Sequence, residues 1–329
     1  MAKSAVKTIG VLTSGGDSPA MNAAIRAVVR SAIDQGVKVK GIRKGYNGLL
    51  NGEIIDMEKY SVSDTISRGG TVLFTARCEE FKTPEGQQLG ADTCRENGID
   101  GLVVIGGDGS FKGAKKLAEL GINTVAVPGT IDLDVACTDY TIGFDTAVNT
   151  AMEAIDKIRD TSTSHERVSI IEVMGRNVGY IALWCGIATG AEDILLPERY
   201  DGNQPKLEQT LIDNILKNRA KGKVHHLIVN AEGIGGSFGM AKRIEAATGI
   251  ETRATILGYM QRGGNPTAKD RVYASIMGAY AVDLLIKGKT NRVVGYKHGE
   301  FCDYDIQEAL DMTKVISEKG YRVAKLLGK

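Results

Sequence analysis

Two glycine-rich turns of this chain carry residues that could bind phosphate. Residues 9–12 and 102–105 are apolar runs with strand character, and they lead into turns at 13–17 and 106–110. Glycine lets backbone amides approach a ligand closely, and the positive end of the helix that follows favours an anion. Asp108, in the second turn, could hold the Mg²⁺ that accompanies a phosphate. Because short glycine patterns are weak indicators, a plain strand-to-helix turn with a capping aspartate explains either copy alone equally well.

A third polar cluster follows the strand predicted at residues 125–127. Gly129 and Thr130 lead there into a pair of aspartates, Asp132 and Asp134. Phosphoryl transfer needs Mg²⁺, charge stabilisation and a base that accepts the proton of the attacked hydroxyl. Taken alone, the two aspartates are more simply helix-capping or turn carboxylates. Beside the two glycine-rich turns, they favour a role in phosphoryl transfer.

Strand-like and helix-like segments alternate along almost the whole sequence, which predicts an α/β fold of doubly wound parallel sheets. We expect helices at 18–36, 110–120 and 146–159 and strands at 168–173, 227–231 and 254–257. In open parallel sheets, ligands bind beyond the carboxyl ends of the strands. Polar clusters do follow predicted strands, at 15–17, 107–110, 129–132, 174–176, Glu232 and Arg262. The ligand site is therefore expected at this edge.

Composition excludes several classes of protein. With 329 residues the chain is long enough for about two domains, and its 41 basic residues nearly balance 40 acidic ones. No block of like charge indicates a nucleic-acid or membrane partner, and no apolar run is long enough to cross a bilayer. The five cysteines have no paired spacing and no signal-peptide pattern is visible, so we expect reduced thiols in the cytoplasm. The four histidines stand in no ligand motif, which argues against zinc.

Two arginines stand at the wrong end of their strands for this site. Arg167 and Arg253 precede the strands predicted at 168–173 and 254–257. A strand of five or six residues spans roughly 17–20 Å, too far for either side chain to reach the site of its own chain. An ordinary solvated arginine is the simpler interpretation. The alternative is that each arginine faces the site of a neighbouring subunit.

In combination, these motifs resemble the bacterial-type ATP-dependent 6-phosphofructokinases. The similarity runs from about residue 9 to beyond residue 285, in the segments GVLTSGGDSPAMNAAIR, RGGTVLFTAR, VVIGGDGSFKGA, VPGTIDLD, DYTIGFDTAVNT, RDTSTSHERVSIIEVMGR, ETRATILGYMQRGGNP and DRVYASIMGAYAVDLL. The resemblance implies two Rossmann-like domains facing each other across a cleft. It also implies a cytoplasmic homotetramer with shared active sites, which transfers a phosphoryl group from ATP, with Mg²⁺, to fructose 6-phosphate. A nucleotide or phosphoenolpyruvate is expected to regulate it.

On that resemblance we place the ATP and magnesium domain at residues 1–143 plus 261–305 and the fructose 6-phosphate domain at 144–260 plus 306–329. The catalytic positions are Asp132 as base, Thr130, Asp134 and, for the transferred phosphoryl group, Arg176. The ATP positions are Gly16, Arg77, Cys78, Gly107, Asp108, Gly109 and Ser110, with Asp108 as the magnesium ligand. The fructose 6-phosphate positions are Thr130, Ile131, Asp132, Met174, Gly175, Arg176, Glu232, Tyr259 and Arg262, with Arg167 and Arg253 from an adjacent subunit.

The resemblance also implies an effector site. Its positions are Arg26, Arg30, Lys59, Arg159, Glu192, Lys221 and Lys223. Arg26 and Arg30 share a helix face by their i,i+4 spacing, which suits a joint phosphate contact. A solvated basic face is the competing interpretation of this set.

Two alternative functions stay open. A pyrophosphate-dependent phosphofructokinase is disfavoured, because those relatives have aspartate at the position of Gly109 and lysine at that of Gly129. A non-catalytic regulatory paralogue is disfavoured by the retained base, Asp132. Four positions depart from the family pattern: Leu133 replaces asparagine, Tyr259 histidine, Cys78 an aromatic residue and Ala20 glycine. A hydrogen bond lost at Leu133 would change a rate by up to roughly tenfold, so we expect an active enzyme.

Overall fold

The computed structural model describes residues 6–328, which form two compact units. The first unit contains the described residues up to Thr146 together with Arg262–Lys314. The second contains Ala147–Gln261 together with the described residues from Val315 onward. Residues 306–314 therefore lie with the first unit, whereas the sequence-based boundaries assigned them to the second. The reason is packing, since Ile306 and Ala309 are buried in the apolar core of the first unit.

A seven-stranded sheet is the centre of the first unit. Its strands are β1 (Thr8–Thr13), β2 (Lys38–Ile42), β3 (Ile54–Met57), β4 (Gly101–Gly106), β5 (Asn123–Pro128), β10 (Arg292–Lys297) and β11 (Glu300–Asp305). They lie in the order β11-β10-β5-β4-β1-β2-β3. The five inner strands are parallel, as predicted, while the edge strands β3 and β11 run antiparallel to their neighbours. The alternation of strands and helices did not indicate these two antiparallel edges.

Helices cover both faces of this sheet, so the doubly wound prediction is confirmed. The helices of the first unit are α1 (Met21–Asp34), α2 (Gly45–Leu50), α3 (Pro84–Glu96), α4 (Asp108–Glu119), α9 (Ala268–Ile286) and α10 (Ile306–Asp311). Alternate residues of β4 supply the two cores: Val103 and Ile105 pack with α1 and α9, and Leu102 and Val104 pack with α4. This is the two-residue period of a strand that is buried on both sides.

The second unit is built on a four-stranded parallel sheet in the order β7-β8-β6-β9. Its strands are β6 (Val168–Val173), β7 (Asp193–Leu195), β8 (His226–Ala231) and β9 (Thr252–Ile256), and its helices are α6 (Tyr180–Thr189), α7 (Gln204–Ala220), α8 (Ser237–Thr248) and α11 (Glu318–Leu327). The helix α5 (Phe144–Ser164) begins in the first unit and continues in the second. Among residues 6–328, no helix is both long and apolar enough for a membrane span.

Two element boundaries differ from the prediction for physical reasons. The helix α1 starts at Met21 rather than at residue 18, because Ala20 has a left-handed φ of 71° that no α-helical residue can adopt. The strand β9 starts at Thr252, where its ladder with β6 begins. The expectation that Arg253 precedes its strand is therefore wrong, since Arg253 is the second residue of β9.

Candidate functional site

The turns after β1, β4 and β5 are bonded to one another at the carboxyl end of the first unit's sheet. The amide of Ser14 donates to the carbonyl of Ile105 at 2.9 Å, and the hydroxyl of Ser110 donates to the carbonyl of Ser14 at 3.1 Å. The amide of Gly129 donates to the carbonyl of Gly106 at 2.9 Å. These bonds bring together the three sequence-predicted turns of this unit. They fix residues 107–110 and 130–134 to the same edge of the sheet.

Close packing explains some of the glycines in these turns. A Cβ atom on Gly106 would lie 2.4 Å from Ser110 Oγ and 2.5 Å from the carbonyl oxygen of Ser14. A Cβ atom on Gly129 would lie 2.9 Å from Ile105 Cγ2. Gly109 differs, because a Cβ atom there would meet nothing within 4 Å. Gly106 and Gly129 thus serve the contact between turns, whereas the surface at Gly109 is open to a ligand.

The amino end of α4 is suited to an anion. The helix begins at Asp108, directly after Gly107, and no side chain among residues 6–328 caps its start, although the amide of Ser110 donates to the carbonyl of Gly107 at 2.8 Å. The first amides and the helix dipole favour phosphate oxygens at this place. Asp108 and Gly109 are exposed, while Ser110 is buried. This end of the helix therefore combines anion-binding amides with one exposed carboxylate.

The same arrangement fits magnesium that arrives with a nucleotide. Mg²⁺ keeps several waters and is usually held by one or two carboxylates together with substrate phosphates. Asp108 supplies one such carboxylate beside the amides of α4. Within the described part of the chain, no three or more His, Cys, Asp or Glu side chains cluster into a metal site of their own. The residues present fit an ion shared with a bound nucleotide better than a cage made of protein ligands.

The predicted base lies in a constrained turn. Asp132 is half-buried, and its amide donates to the hydroxyl of Thr130 at 3.2 Å. Leu133 follows with a left-handed φ of 57° and a side chain that is 5% exposed. The left-handed conformation costs a residue with a Cβ atom roughly 1–2 kcal/mol, and asparagine tolerates it better than leucine does. Ile131 is buried and Asp134 half-buried.

Arg262 belongs to the first unit and lies against its first turn. A Cβ atom on Gly16 would be 3.2 Å from Arg262 Nη1, so a side chain there would press on the guanidinium. The resemblance assigned Gly16 to ATP and Arg262 to the sugar phosphate, and the structure brings the two residues together. Of the other ATP positions, Arg77 is exposed and Cys78 packs against the core beside α4.

The predicted sugar-phosphate residues of the second unit also come together. Glu232, directly after β8, accepts the amides of Gly175 at 3.1 Å and Arg176 at 2.5 Å in the turn after β6. Gly175 and Arg176 have positive φ values of 146° and 56°, so the carboxylate stabilises an unusual backbone. The amide of Met174 donates to the side chain of Gln261 at 2.9 Å, which ties the turn carrying Tyr259 to the same edge. Arg176 and Tyr259 are both exposed.

Arg167 and Arg253 lie at the other end of this sheet and share one carboxylate. Arg167 Nε is 2.7 Å from Glu251 Oε2, and Arg253 Nη2 is 2.6 Å from Glu251 Oε1. The hydrogen bond from Arg167, followed by that from Arg253, holds the pKa of Glu251 below its usual range. Arg253 pairs with Ser169 at the start of the ladder between β6 and β9. Within one chain, therefore, the structure does not bring these arginines to the predicted site.

The predicted effector residues form separate groups. In the second unit, Lys223 Nζ is 2.7 Å from the nearly buried carboxylate of Glu192, and Arg159 donates to the carbonyl of Thr189 at the end of α6. Lys221 follows α7. In the first unit, Arg26 and Arg30 lie on α1, and Lys59 is 3.8 Å from Asp34 at the end of the same helix.

Several supporting residues escaped the sequence analysis. Tyr46 donates its hydroxyl to the carbonyl of Ser110 at 2.6 Å and stacks on Phe81, which supports the start of α4. Glu251, Gln261 and Lys314 likewise hold predicted site residues in place. Glu251 and Gln261 stand within a motif that carried the resemblance, but their supporting roles give no local signal. Tyr46 and Lys314 could not be found by spacing, because their partners are distant in sequence.

The comparisons with known proteins agree with each other. Residues 8–285 match the family described as Phosphofructokinase. The ATP-dependent 6-phosphofructokinase of Clostridium botulinum strain Loch Maree is 59% identical over 324 residues, which cover 98% of this chain and 100% of the relative. The structure of phosphofructokinase from Saccharomyces cerevisiae is 35% identical with a TM-score of 0.85, over 98% of this chain and 48% of that chain. The structure of pyrophosphate-dependent phosphofructokinase from Marinobacter aquaeolei is similar in fold, with 24% identity and a TM-score of 0.84 over 98% and 91% of the two chains.

Proposed function

The chain belongs to the phosphofructokinase family, and we infer that it catalyses the ATP-dependent phosphorylation of fructose 6-phosphate to fructose 1,6-bisphosphate, a step of glycolysis. The observation that carries this conclusion is the 59% identity to ATP-dependent 6-phosphofructokinase over 98% of this chain. The match extends over nearly the whole chain. The protein is therefore a phosphotransferase with an alcohol as acceptor.

The local residues favour ATP over pyrophosphate as the donor. Since the pyrophosphate-dependent relative has the same fold, the fold does not distinguish the two donors. The pyrophosphate type has lysine at the position of Gly129, where even a Cβ atom would lie 2.9 Å from Ile105 Cγ2. It has aspartate at the position of Gly109, next to the anion-binding end of α4. A second carboxylate there would oppose the phosphates of a nucleotide, and this chain has none.

We assign the nucleotide to the first unit. Amides of residues 107–110 would bind its phosphates, with Gly16, Arg77 and Cys78 as further contacts. Asp108 would hold Mg²⁺, which when bound neutralises phosphate charge. Asp132, on the neighbouring turn, would accept the proton of the sugar's 1-hydroxyl, with Thr130, Ile131 and Asp134 shaping the turn around it. Support for this assignment is the hydrogen bonding that joins the turns after β1, β4 and β5.

We assign the sugar phosphate mainly to residues of the second unit. The predicted contacts are Met174, Gly175, Glu232, Tyr259 and Arg262. Arg176 would stabilise the charge on the transferred phosphoryl group. Support comes from the contacts that join the turns after β6, β8 and β9. Glu232 already fixes the backbone amides of Gly175 and Arg176, so the turn is formed before a phosphate arrives.

The remaining assignments concern assembly and regulation. We expect a cytoplasmic homotetramer in which Arg167 and Arg253 complete the site of a neighbouring subunit. Their place at the amino end of the second sheet supports this, because they lie at the end opposite the predicted site residues of their own unit. The effector, a nucleotide or phosphoenolpyruvate, would bind among the predicted residues Arg26, Arg30, Lys59, Arg159, Glu192, Lys221 and Lys223. Arg26 and Arg30 both lie on α1 with i,i+4 spacing, which suits a joint phosphate contact.

One assay tests the reaction and the donor together. Purified protein is supplied with fructose 6-phosphate, Mg²⁺ and either ATP or pyrophosphate, and fructose 1,6-bisphosphate is measured by a coupled reaction. We expect turnover with ATP and none with pyrophosphate. The Asp132→Ala variant, purified in the same way, controls for contaminating kinases. Turnover with pyrophosphate alone would contradict the donor assignment, and ligand binding without turnover would support the regulatory paralogue.

A further inference from the structure

The backbone of Leu133 has an unfavourable conformation that neighbouring contacts must stabilise. Leu133 follows the proposed base directly, it has a φ of 57°, and its side chain is 5% exposed. The left-handed region is unfavourable for leucine, so the residue would tend to return to an extended or right-handed backbone. Such a rotation would also move the carboxylate of Asp132. A contact to the backbone of Leu133 is therefore needed to keep this conformation.

Lys314 makes the contacts that can stabilise the backbone of Leu133. Its ammonium donates to the carbonyl of Leu133 at 3.0 Å and to the carbonyl of Thr138 at 2.8 Å. These two carbonyls bound the segment 133–138, which also contains Asp134. Hydrogen bonds from an ionised donor are about twice as strong as neutral ones. One side chain therefore fixes both ends of the segment that follows the base.

Lys314 is charged at neutral pH although its surroundings lower its pKa. Burial lowers the pKa of Lys314 to about 8, and Lys297 acts in the same direction. The carboxylates of Asp139 and Asp134, and the Cys137 thiol, act in the opposite direction. The ammonium form, which has three hydrogens to donate, thus prevails at pH 7. Lys314 is the last residue of the first unit before the chain enters the second.

We propose that Lys314 is a positioning residue for the phosphoryl-transfer reaction: by binding the carbonyls of Leu133 and Thr138, it holds the left-handed peptide that sets the carboxylate of Asp132. It thereby allows leucine to keep a backbone conformation that its side chain disfavours. The inference rests on the proposed function, in which Asp132 is the base. It goes further by naming a residue outside the motifs that carry the family resemblance.

A double-mutant cycle tests the coupling. We expect Lys314→Met to lower kcat by about 10- to 100-fold, the range for a misplaced reacting group, with the KM for ATP unchanged. In the Leu133→Asn background the same change should lower kcat by less than ~3-fold, because asparagine keeps the left-handed backbone without help. Lys287→Met, at an exposed lysine of the same unit, is the matched control. Equal losses in both backgrounds, or no loss in either, would overturn the proposal.

Two further measurements keep the result interpretable. Lys314→Arg retains donors for both carbonyls and should keep more activity than Lys314→Met; the reverse order would contradict a hydrogen-bonding role. Amide hydrogen exchange reports on the segment 132–138 and does not require an activity measurement. Amides of residues 132–138 should exchange faster in Lys314→Met than in the wild type, and unchanged exchange would count against the proposal. Wild-type protein without kinase activity would instead refute the proposed function and leave the exchange result standing.

Discussion

Two residues near the predicted site occupy backbone conformations that their side chains disfavour. Ala20 has a φ of 71° and Leu133 a φ of 57°. Glycine and asparagine are the residues that most readily adopt the left-handed region. The fold holds Ala20 and Leu133 in this region although neither side chain favours it. Each position carries a local strain that neighbouring contacts must offset.

The chemical role of Asp132 can be tested without changing the shape of the side chain. Asp132→Asn removes the ability to accept a proton but keeps the size of the group, so kcat should fall by at least ~10²-fold, the low end for a lost general base. The KM for fructose 6-phosphate should change little. Steady-state kinetics beside Asp56→Asn, an exposed carboxylate of the same unit, would measure this. Near wild-type turnover in Asp132→Asn would exclude the residue as base.

The buried ammonium of Lys314 predicts a pH dependence of stability. Its folded-state pKa is about 8, below the ordinary value of 10.5. Below pH 8 both states hold the proton, and between pH 8 and 10.5 only the unfolded state binds it. The free energy of unfolding contributed by Lys314 should then rise with pH, by no more than about 1.4 kcal/mol per pH unit.

Urea unfolding of the wild type and of Lys314→Met at pH 7.5 and pH 9.5 checks this sign. The stability of the wild type relative to the variant should be greater at the higher pH. Groups common to both proteins cancel in the comparison. A difference that stays constant or shrinks would mean that the pKa of Lys314 is not lowered in the folded state.

At the scale of elements, the site of the first unit depends on how three strand–turn segments pack. The turns after β1, β4 and β5 share hydrogen bonds, and no room remains for a side chain at Gly106. Tyr46, from α2, supports the same region through its bond to the carbonyl of Ser110. The anion-binding end of α4 is thus fixed from two sides. Such support leaves the amides in place before a ligand arrives.

Two glycine substitutions, one at a tightly packed position and one at an open position, test whether contact between the turns requires Gly106. Gly106→Ala should destabilise the protein by about 1–3 kcal/mol, as overpacking usually does, because its Cβ atom would lie 2.4 Å from Ser110 Oγ. Gly109→Ala places its Cβ atom in open space within α4 and should be neutral or stabilising by up to about 1 kcal/mol. Urea midpoints of the two variants measure the contrast. Equal destabilisation by both would show that contact between the turns is not what requires Gly106.

At the scale of the whole molecule, Arg167 and Arg253 lie at the end of the second sheet opposite the predicted site residues of their own unit. Both bind Glu251 in their own chain, at the amino end of the second sheet. The predicted site residues of that unit follow the carboxyl ends of β6 and β8. A shared carboxylate would keep the two guanidinium groups close together. A neighbouring subunit that approached this end of the sheet could then meet them as a pair.

Mixed oligomers test whether a site is shared. Asp132→Ala chains lack the base and Arg167→Ala chains lack the arginine, so each variant should be severely impaired alone. After the two are refolded together, some sites would combine Asp132 of one chain with Arg167 of another, and activity should exceed the average of the parents. Turnover is measured with fructose 6-phosphate near the wild-type KM.

A second mixture serves as the control for that experiment. Asp132 and Arg176 are both assigned to the site of their own chain, so Asp132→Ala and Arg176→Ala should not complement each other. If hybrid oligomers form but the first mixture gains nothing, Arg167 serves its own chain or no site. A gain in both mixtures would point to refolding effects rather than to shared sites.

The sequence alone determined the features that depend on local pattern. The alternation of apolar and polar residues predicted parallel sheets with helices on both faces, and β6 has the predicted bounds. The chemistry at strand ends predicted which turns belong together, because parallel strands deliver their carboxyl ends to one edge of a sheet. The glycine turns after β1 and β4 likewise predicted an anion-binding surface at that edge. These signals lie within a few residues of each other.

Only the tertiary structure decided the features that depend on long-range contact. The antiparallel edges β3 and β11, the pairing of both arginines with Glu251 and the left-handed backbone at Leu133 have no local pattern that predicts them. Lys314 contacts the carbonyl of Leu133, beside Asp132, from 181 residues away in the sequence. A side chain so distant reaches this turn only because the chain folds back on itself. Residue types and spacing specify which turns can do chemistry, and packing specifies which side chains hold those turns in place.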